Sequence, residues 1–320
     1  PGAVRRFLRA HPLSLGVLME TEIWPNVQRE AAKRGVPMVL ANARLSDKSL
    51  HQAIRLQALM RPAAQSLALT LAQTQADAQR LSQAGAPRVE VCGNVKFDLT
   101  PSPALIAQGR AWAQASSRPV VLAAVTREGE EALLLSAWAQ CLASGTFGAA
   151  LPRLMIVPRH PQRFDEVADL IAKQGLSLSK RSAWGDSGPG DQALSCDVWL
   201  GDSMGEMPAY YAAAQVALLG GSFAPLGGQN LIEAAACGCP LVMGPHTFNF
   251  AQAAELSEAA GAAVRAQTFE QALEAAAALL PSPSHDAMAA RALDFAQSHR
   301  GAAARMAQAV SGFCAKRAKP

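Results

Sequence analysis

Apolar residues along the chain fall into short runs, separated by stretches in which they recur at helical spacing. The runs predict eleven strands: Leu15–Met19, Met38–Ala41, Leu67–Leu71, Val89–Cys92, Val120–Ala124, Leu154–Val157, Leu176–Ser179, Val198–Leu200, Val216–Leu219, Leu241–Met243 and Ala263–Arg265. Helical patterns lie between most of them. Alternating strand and helix signals predict an α/β protein whose parallel strands are covered on both faces. Ser46 is a natural N-cap for a helix over Asp47 to Met60. Thr74 and Asp77 make a capping-box-like pair before a helix ending at Gly85, and another helix follows Pro161 and runs to Gly175.

Residues 101–118 are richer in Pro, Ser and Gln than their flanks, which predicts a linker between a first domain over 1–100 and a second over 119–320. Trp184 to Ser195, with its Gly-Asp-Ser-Gly-Pro-Gly-Asp, reads as a surface insertion. From about His285 to Cys314 the chain reads as an Ala-rich helical tail. At 320 residues, half of them hydrophobic and 17% charged, it can fill two cores. The net charge of +4 and pI near 8.9 mildly suit acidic substrates. No basic patch is interleaved with aromatics, so nucleic acid is not an expected partner. No apolar run reaches the ~18 residues that span a bilayer. The six cysteines include no Cys-x-x-Cys pair, which argues for small buried residues in a reducing compartment rather than a zinc site.

The richest chemistry lies over residues 220–250. The strand Val216–Leu219 empties into a glycine-rich loop, Gly220 to Gly228, and a short helix runs from about Asn230 to Gly238. Free N–H groups and a positive helix end would make an anion site there. Asn230 and Glu233 share a helical face, and a carboxylate at that place can accept hydrogen bonds from a ribose diol; an ordinary strand–helix junction with a capping Asn is the plainer alternative. Arg159, in Pro158-Arg159-His160-Pro161, follows another strand end, where a guanidinium could grip phosphate through two bonds or simply be solvated. Gly205 lets backbone approach a ligand, and Glu206 beside it suits a helix N-terminus in any case. In Thr126 to Glu131, three Glu open a helix, which the helix dipole alone explains.

These blocks, together with Met19 to Asn26, Asn42 to Ser46, Gly93 to Asp98 and Gly201 to Met207, occur in an order that closely resembles the Kdo (3-deoxy-D-manno-octulosonic acid) transferases of lipopolysaccharide core assembly. The resemblance covers about Leu15 to Phe250. It implies a GT-B fold, two Rossmann-like domains facing across a cleft, the first on the acceptor side and incomplete, the second binding the nucleotide sugar. A C-terminal helix would cross back to the first domain. The implied reaction is inverting transfer of Kdo from CMP-Kdo to a lipid A precursor, lipid IV(A), at the cytoplasmic face of the bacterial inner membrane. Nucleotide contacts would come from Pro158, Arg159, Met204, Gly205, Glu206, Asn230, Leu231, Ile232 and Glu233. Glu20 and Lys96 would stabilise the transition state. Arg44 could be a substrate contact or a structural ion pair. The family carries a further N-terminal segment with a membrane anchor and the general base, so a chain opening at Pro1 is expected to be a fragment, inactive by itself. A donor with one phosphate and the absence of an Asp-x-Asp motif at a strand end lead us to expect no metal and no cofactor. A sugar-nucleotide epimerase of the same fold, or a CMP-binding remnant without activity, is the alternative.

Overall fold

The computed structural model describes residues 2–148, 151–185, 187–280 and 283–317. Eleven strands form: β1 (Gly16–Met19), β2 (Met38–Ala43), β3 (Leu67–Ala72), β4 (Val89–Val91), β5 (Val120–Thr126), β6 (Arg153–Pro158), β7 (Leu178–Lys180), β8 (Val198–Leu200), β9 (Val216–Leu219), β10 (Leu241–Met243) and β11 (Ala263–Arg265). Each coincides with a predicted run to within two residues at either end; the inner strands are buried on both faces and so carry nearly unbroken apolar sequence, whereas the edge strands β1, β4, β7 and β11 are partly exposed. They divide between two compact units, one of residues up to Asp98 with those from His299 onward, the other of Leu99–Ser298.

The first unit holds a four-stranded parallel sheet in the order β1-β2-β3-β4. Alternate residues of β2 serve its two faces. Met38 and Leu40 pack with Leu8, Ala31 and Leu81, while Val39 and Ala41 pack with Leu69, Leu71 and Met306. The second face is closed by the last helix, Ala302–Arg317. Asp98 fastens that helix, its carboxylate accepting from the N–H groups of Gly301 and Ala303. Arg305 adds a 2.9 Å bond to the carbonyl of Cys92. The helix expected over Asp47 to Met60 is two helices, Asp47–Arg55 and Gln57–Gln65, broken where Leu56 leaves helical geometry (φ −102°, ψ 29°).

The second unit holds a seven-stranded parallel sheet, β11-β10-β9-β5-β6-β8-β7. Strands β6 to β8 lie on one side of β5 and β9 to β11 on the other, so the strand order reverses between β5 and β9. Loops at such a reversal part and leave a crevice at the carboxyl ends of the strands. Two expectations fail in this unit. Residues 103–115 are no linker but a helix, Pro103–Ala115, packed on the Met207–Ala213 helix. A Cβ at Gly109 would stand 2.0 Å from the carbonyl oxygen of Ala209. Helices approach so closely only where one lacks a side chain. Pro103 at the start of this helix, which the composition took for a breaker, occupies a first-turn position where its missing N–H costs nothing. Nor is Trp184 to Ser195 a loose insertion. Asp186 lies outside the described residues, but Trp184 meets the rings of Trp112 and Trp199 edge-on at 5.3 and 4.9 Å, and Gly188 and Pro189 are buried.

Among the described residues no helix is long and apolar enough to cross a membrane. The tight crossing at Gly109 generates a prediction. Gly109→Val should lower stability by about 1–3 kcal/mol through overpacking, read from the urea midpoint. A linker would tolerate the change, and an unshifted midpoint would restore that reading.

Candidate functional site

In the second unit the predicted nucleotide residues gather at the carboxyl ends of β6, β8 and β9. The turn after β5 wires the loops around them together. Glu130 is 1% exposed. Its carboxylate accepts from the main-chain N–H of Arg127 (2.9 Å), Gly221 (2.7 Å), Phe223 (3.1 Å) and Ala224 (3.2 Å). A buried carboxylate is tolerable when such donors replace its water. The next residue, Glu131, is fully buried and holds Arg163 through bonds of 2.7 and 3.1 Å, while Thr126 donates to it at 2.7 Å. Arg163 stands four residues beyond Arg159, whose own N–H donates to the carbonyl of Thr126 at 2.9 Å. Hydrogen bonds that it donates to Glu166 and Glu131 push the Arg163 guanidinium further into its charged form.

This wiring corrects two sequence readings. The dipole explanation suits only Glu128, which is exposed; Glu130 and Glu131 face inward. A signal was present. Glu130-Glu131 open a helix whose following residues are Ala-Leu-Leu-Leu, a pattern apolar on more than one face, and such helices are buried. The glycine-rich loop, in turn, does not offer all its amides to an anion, since those of Gly221, Phe223 and Ala224 are already taken by Glu130. The loop is held at its other end too. Asn249 donates its side-chain amide to the carbonyl of Leu226 and its main-chain N–H to that of Gly227, both at 3.0 Å, a role the sequence did not reveal.

Asn230 caps the Leu231–Ala236 helix, its side chain accepting from Ile232 N–H at 3.2 Å. Leu231 and Ile232 are 0% and 1% exposed and Pro158 is buried, which limits all three to main-chain contact with any ligand. Glu233 is half-buried, and no hydrogen bond or ion pair to its carboxylate is found among the described residues. Burial pushes that carboxyl up from its ordinary value. Arg159 is exposed, and its guanidinium likewise has no partner among the described residues. Glu206 is engaged otherwise. Arg181 grips it at 2.9 Å and the Ser203 hydroxyl donates to its other oxygen, which fixes the turn and leaves Met204 and Gly205 exposed.

In the first unit Glu20 follows β1 in a left-handed conformation (φ 56°). Arg44 pairs with it at 3.4 Å and donates its N–H to the Glu20 carbonyl, so Arg44 is at least a structural partner. Glu22 faces away to accept from the Trp24 indole at 2.6 Å. Lys96 lies in a short 3-10 turn, Val95–Asp98, after β4. Asn42, at the end of β2, ties that turn down by accepting from Val95 N–H at 3.2 Å. Glu20 and Lys96 thus stand at the carboxyl ends of the two edge strands of one sheet.

The Glu130 contacts yield a prediction. Glu130→Ala orphans buried amides and should cost at least about 1–3 kcal/mol, with the glycine-rich loop newly open to proteolysis. Glu128→Ala should be neutral. Equal denaturation midpoints for both would show that the loop does not depend on Glu130.

Comparisons with known proteins agree with this architecture. The family model for "3-Deoxy-D-manno-octulosonic-acid transferase (kdotransferase)" matches residues 1–99. A 3-deoxy-D-manno-octulosonic acid transferase from Bordetella pertussis is 48% identical over 316 residues, which span 98% of this chain and 72% of the relative. The crystal structure of the C-terminal CMP-Kdo binding domain of WaaA from Acinetobacter baumannii is 33% identical with a TM-score of 0.53; the match covers 61% of this chain and all of that domain. Anabaena HepE in complex with UDP, at 18% identity, matches 98% of this chain and 81% of its own with a TM-score of 0.59, and shares the fold alone. The fold is GT-B, and the chain belongs to the 3-deoxy-D-manno-octulosonic acid transferase family.

Proposed function

We propose that this protein transfers Kdo from CMP-Kdo to a hydroxyl of a lipid A precursor with inversion. The observation that carries the reading is the presence of two idle groups beyond the carboxyl ends of β6 and β9, the strands that flank β5. Glu233 is a half-buried carboxyl without a partner among the described residues, and Arg159 is a guanidinium in the same state. A cytidine monophosphate presents a ribose diol and one phosphate, which match them. The likeness to a CMP-Kdo binding domain supports the choice of nucleotide. Met204 and Gly205 would meet the nucleotide through exposed backbone. Asn230 and Leu231 would supply main-chain N–H groups near the phosphate, Ile232, whose N–H the Asn230 side chain takes, would pack behind them, and Pro158 would offer its carbonyl. Glu206 would hold the 203–206 turn in shape.

In the reaction the acceptor oxygen attacks the anomeric carbon of Kdo. The bond from that carbon to the CMP phosphate breaks, and the acceptor proton passes to a base. CMP leaves with the bonding electron pair. Arg159 would stabilise charge gathering on the phosphate, an interaction that strengthens as the bond breaks. Lys96 would offset the sugar carboxylate or the departing phosphate. Glu20, oriented by Arg44, would stabilise the positive charge that develops at the anomeric centre. The acceptor is a glycolipid, so the protein would work at a membrane surface, on the cytoplasmic face of the inner membrane.

Calorimetry with CMP tests the site. Glu233→Ala should weaken CMP binding by about 1.5–3 kcal/mol, the worth of hydrogen bonds to a charged group; equal affinity in a folded variant would remove Glu233 from the site. Ribose hydroxyls favour the ionised carboxylate. CMP affinity should therefore fall as pH drops through the Glu233 titration, which burial places above the ordinary carboxylate value. For folding the sign is opposite. A raised folded-state value means that Glu233 contributes stability below its unfolded value and loses it as pH rises through the folded one. Glu233→Gln should flatten both dependences. Arg159→Lys should not restore binding, because Lys lacks the planar fork; a Lys variant that binds CMP like the parent would reduce Arg159 to a point charge.

A further inference from the structure

The helices that cover one face of the first sheet leave a slot beneath them of 240 Å³. Its lining includes Thr21, Leu45, Ala53, Leu56, Leu67 and Ala84. An apolar cavity of about 150 Å³ already stays dry and admits a benzene ring, so this one exceeds a packing defect. The slot is also long. Thr21 lies just past Met19, whose register partner is Ala41, whereas Leu67 pairs with Met38 at the opposite end of β2. Lining from both ends of the sheet implies a length on the order of 15 Å at ~3.3 Å per residue.

The two ends differ in chemistry. Thr21, Ser49 and Gln52 bring polar atoms to the carboxyl end, where Glu20 and Arg44 stand. Met60, Leu67 and Ala86 make the other end apolar. The wall opens at the break between the two helices, where Leu56 both lines the slot and is 59% exposed, flanked by exposed Ile54 and Leu59. Charge selects the occupant further. The first unit carries 18 Lys and Arg against 7 Asp and Glu, whereas the second carries 11 against 18. Lys48 and Arg55 are exposed on the helix that roofs the slot.

We infer that this slot receives one saturated acyl chain of the anionic lipid acceptor, with the head group at the Glu20 end and the chain beneath Leu56. The inference rests on the transferase reading for its substrate but not for its geometry. An amphiphile held in this way presents its polar part where a reacting hydroxyl must lie. Arg44, and Lys48 at the start of the roofing helix, then lie at the end where its phosphates would be.

The test titrates the whole chain with cis-parinaric acid, a fluorescent fatty acid, displaced by laurate, with CMP calorimetry in parallel. Saturable binding at one site is expected. Ala53→Phe, or Ala84→Leu if the larger side chain disturbs folding, should fill the slot and weaken binding at least tenfold, with CMP affinity unchanged and the melting temperature kept or raised. Phe7→Glu, on an exposed face away from the slot lining, should leave binding within twofold. Normal CMP binding without saturable acyl binding overturns the slot and spares the transferase reading. Acyl binding without CMP binding does the reverse. Acyl binding that survives both filling variants, or that Phe7→Glu abolishes, assigns the chain to surface adsorption and also overturns the proposal.

Discussion

The second unit depends on one buried carboxylate. Glu130 has given up water and gained four main-chain N–H donors, one from its own turn and three from the glycine-rich loop more than ninety residues on. That arrangement spans the point where the strand order reverses, between β5 and β9. Loops at a reversal diverge, and nothing in the sheet's own ladder holds them at a set distance. Glu130 does so from one side and Glu131, through Arg163, from the other. The crevice is therefore built by side chains that never reach its surface. The groups left idle at that surface, Glu233 and Arg159, can be idle because the scaffold does not need them.

Holding the loops so closely has a cost in backbone geometry. Val125 sits in the left-handed region (φ 59°), an outlier for a β-branched residue. The strain, on the order of 1–3 kcal/mol, has an evident cause. The carbonyl of Val125 turns toward Gly220, where a Cβ would lie 2.3 Å away. The strand ends of β5 and β9 meet backbone to backbone, and only glycine at 220 permits it. Strain that surrounding contacts over-determine in this way keeps a site in one shape before a ligand arrives.

Sequence made the inner strands legible because they are buried on both sides and carry nearly unbroken apolar runs, while the part-exposed edge strands β1, β4, β7 and β11 were marked by short runs between helical stretches. Asn230 as a cap and Thr74 as the start of a helix were legible for a local reason, since each bonds to an N–H two or three residues away. What stayed hidden was long-range. Pro-rich 101–118 has the composition of a linker, and only the approach of Gly109 to Ala209 makes it a core helix. Asp98 looks like the end of a functional block, yet its carboxylate caps a helix two hundred residues later. Glu130 looked like a dipole-favoured surface residue because its partners are main-chain amides, which have no residue type to read. The glycine-rich loop was found for the right pattern but with the wrong amides free.

On the proposed reading the two units would solve different recognition problems, and their packing differs in the matching sense. A nucleotide is small, charged and directional. It needs fixed donors and acceptors, which a crevice braced by buried ion pairs and a strained strand end supplies. A lipid amphiphile brings area and flexibility instead. It needs apolar volume and tolerance of several chain conformations. The first unit would supply those with helices broken at Leu56 and unfilled space beneath the break. A break that would be a defect in the second unit is an entrance in the first. The cost of leaving that volume unfilled in the free protein is recovered only when apolar atoms enter it. If the acceptor is a lipid, as proposed, the chain would have a physical reason to keep one face of its core loosely closed.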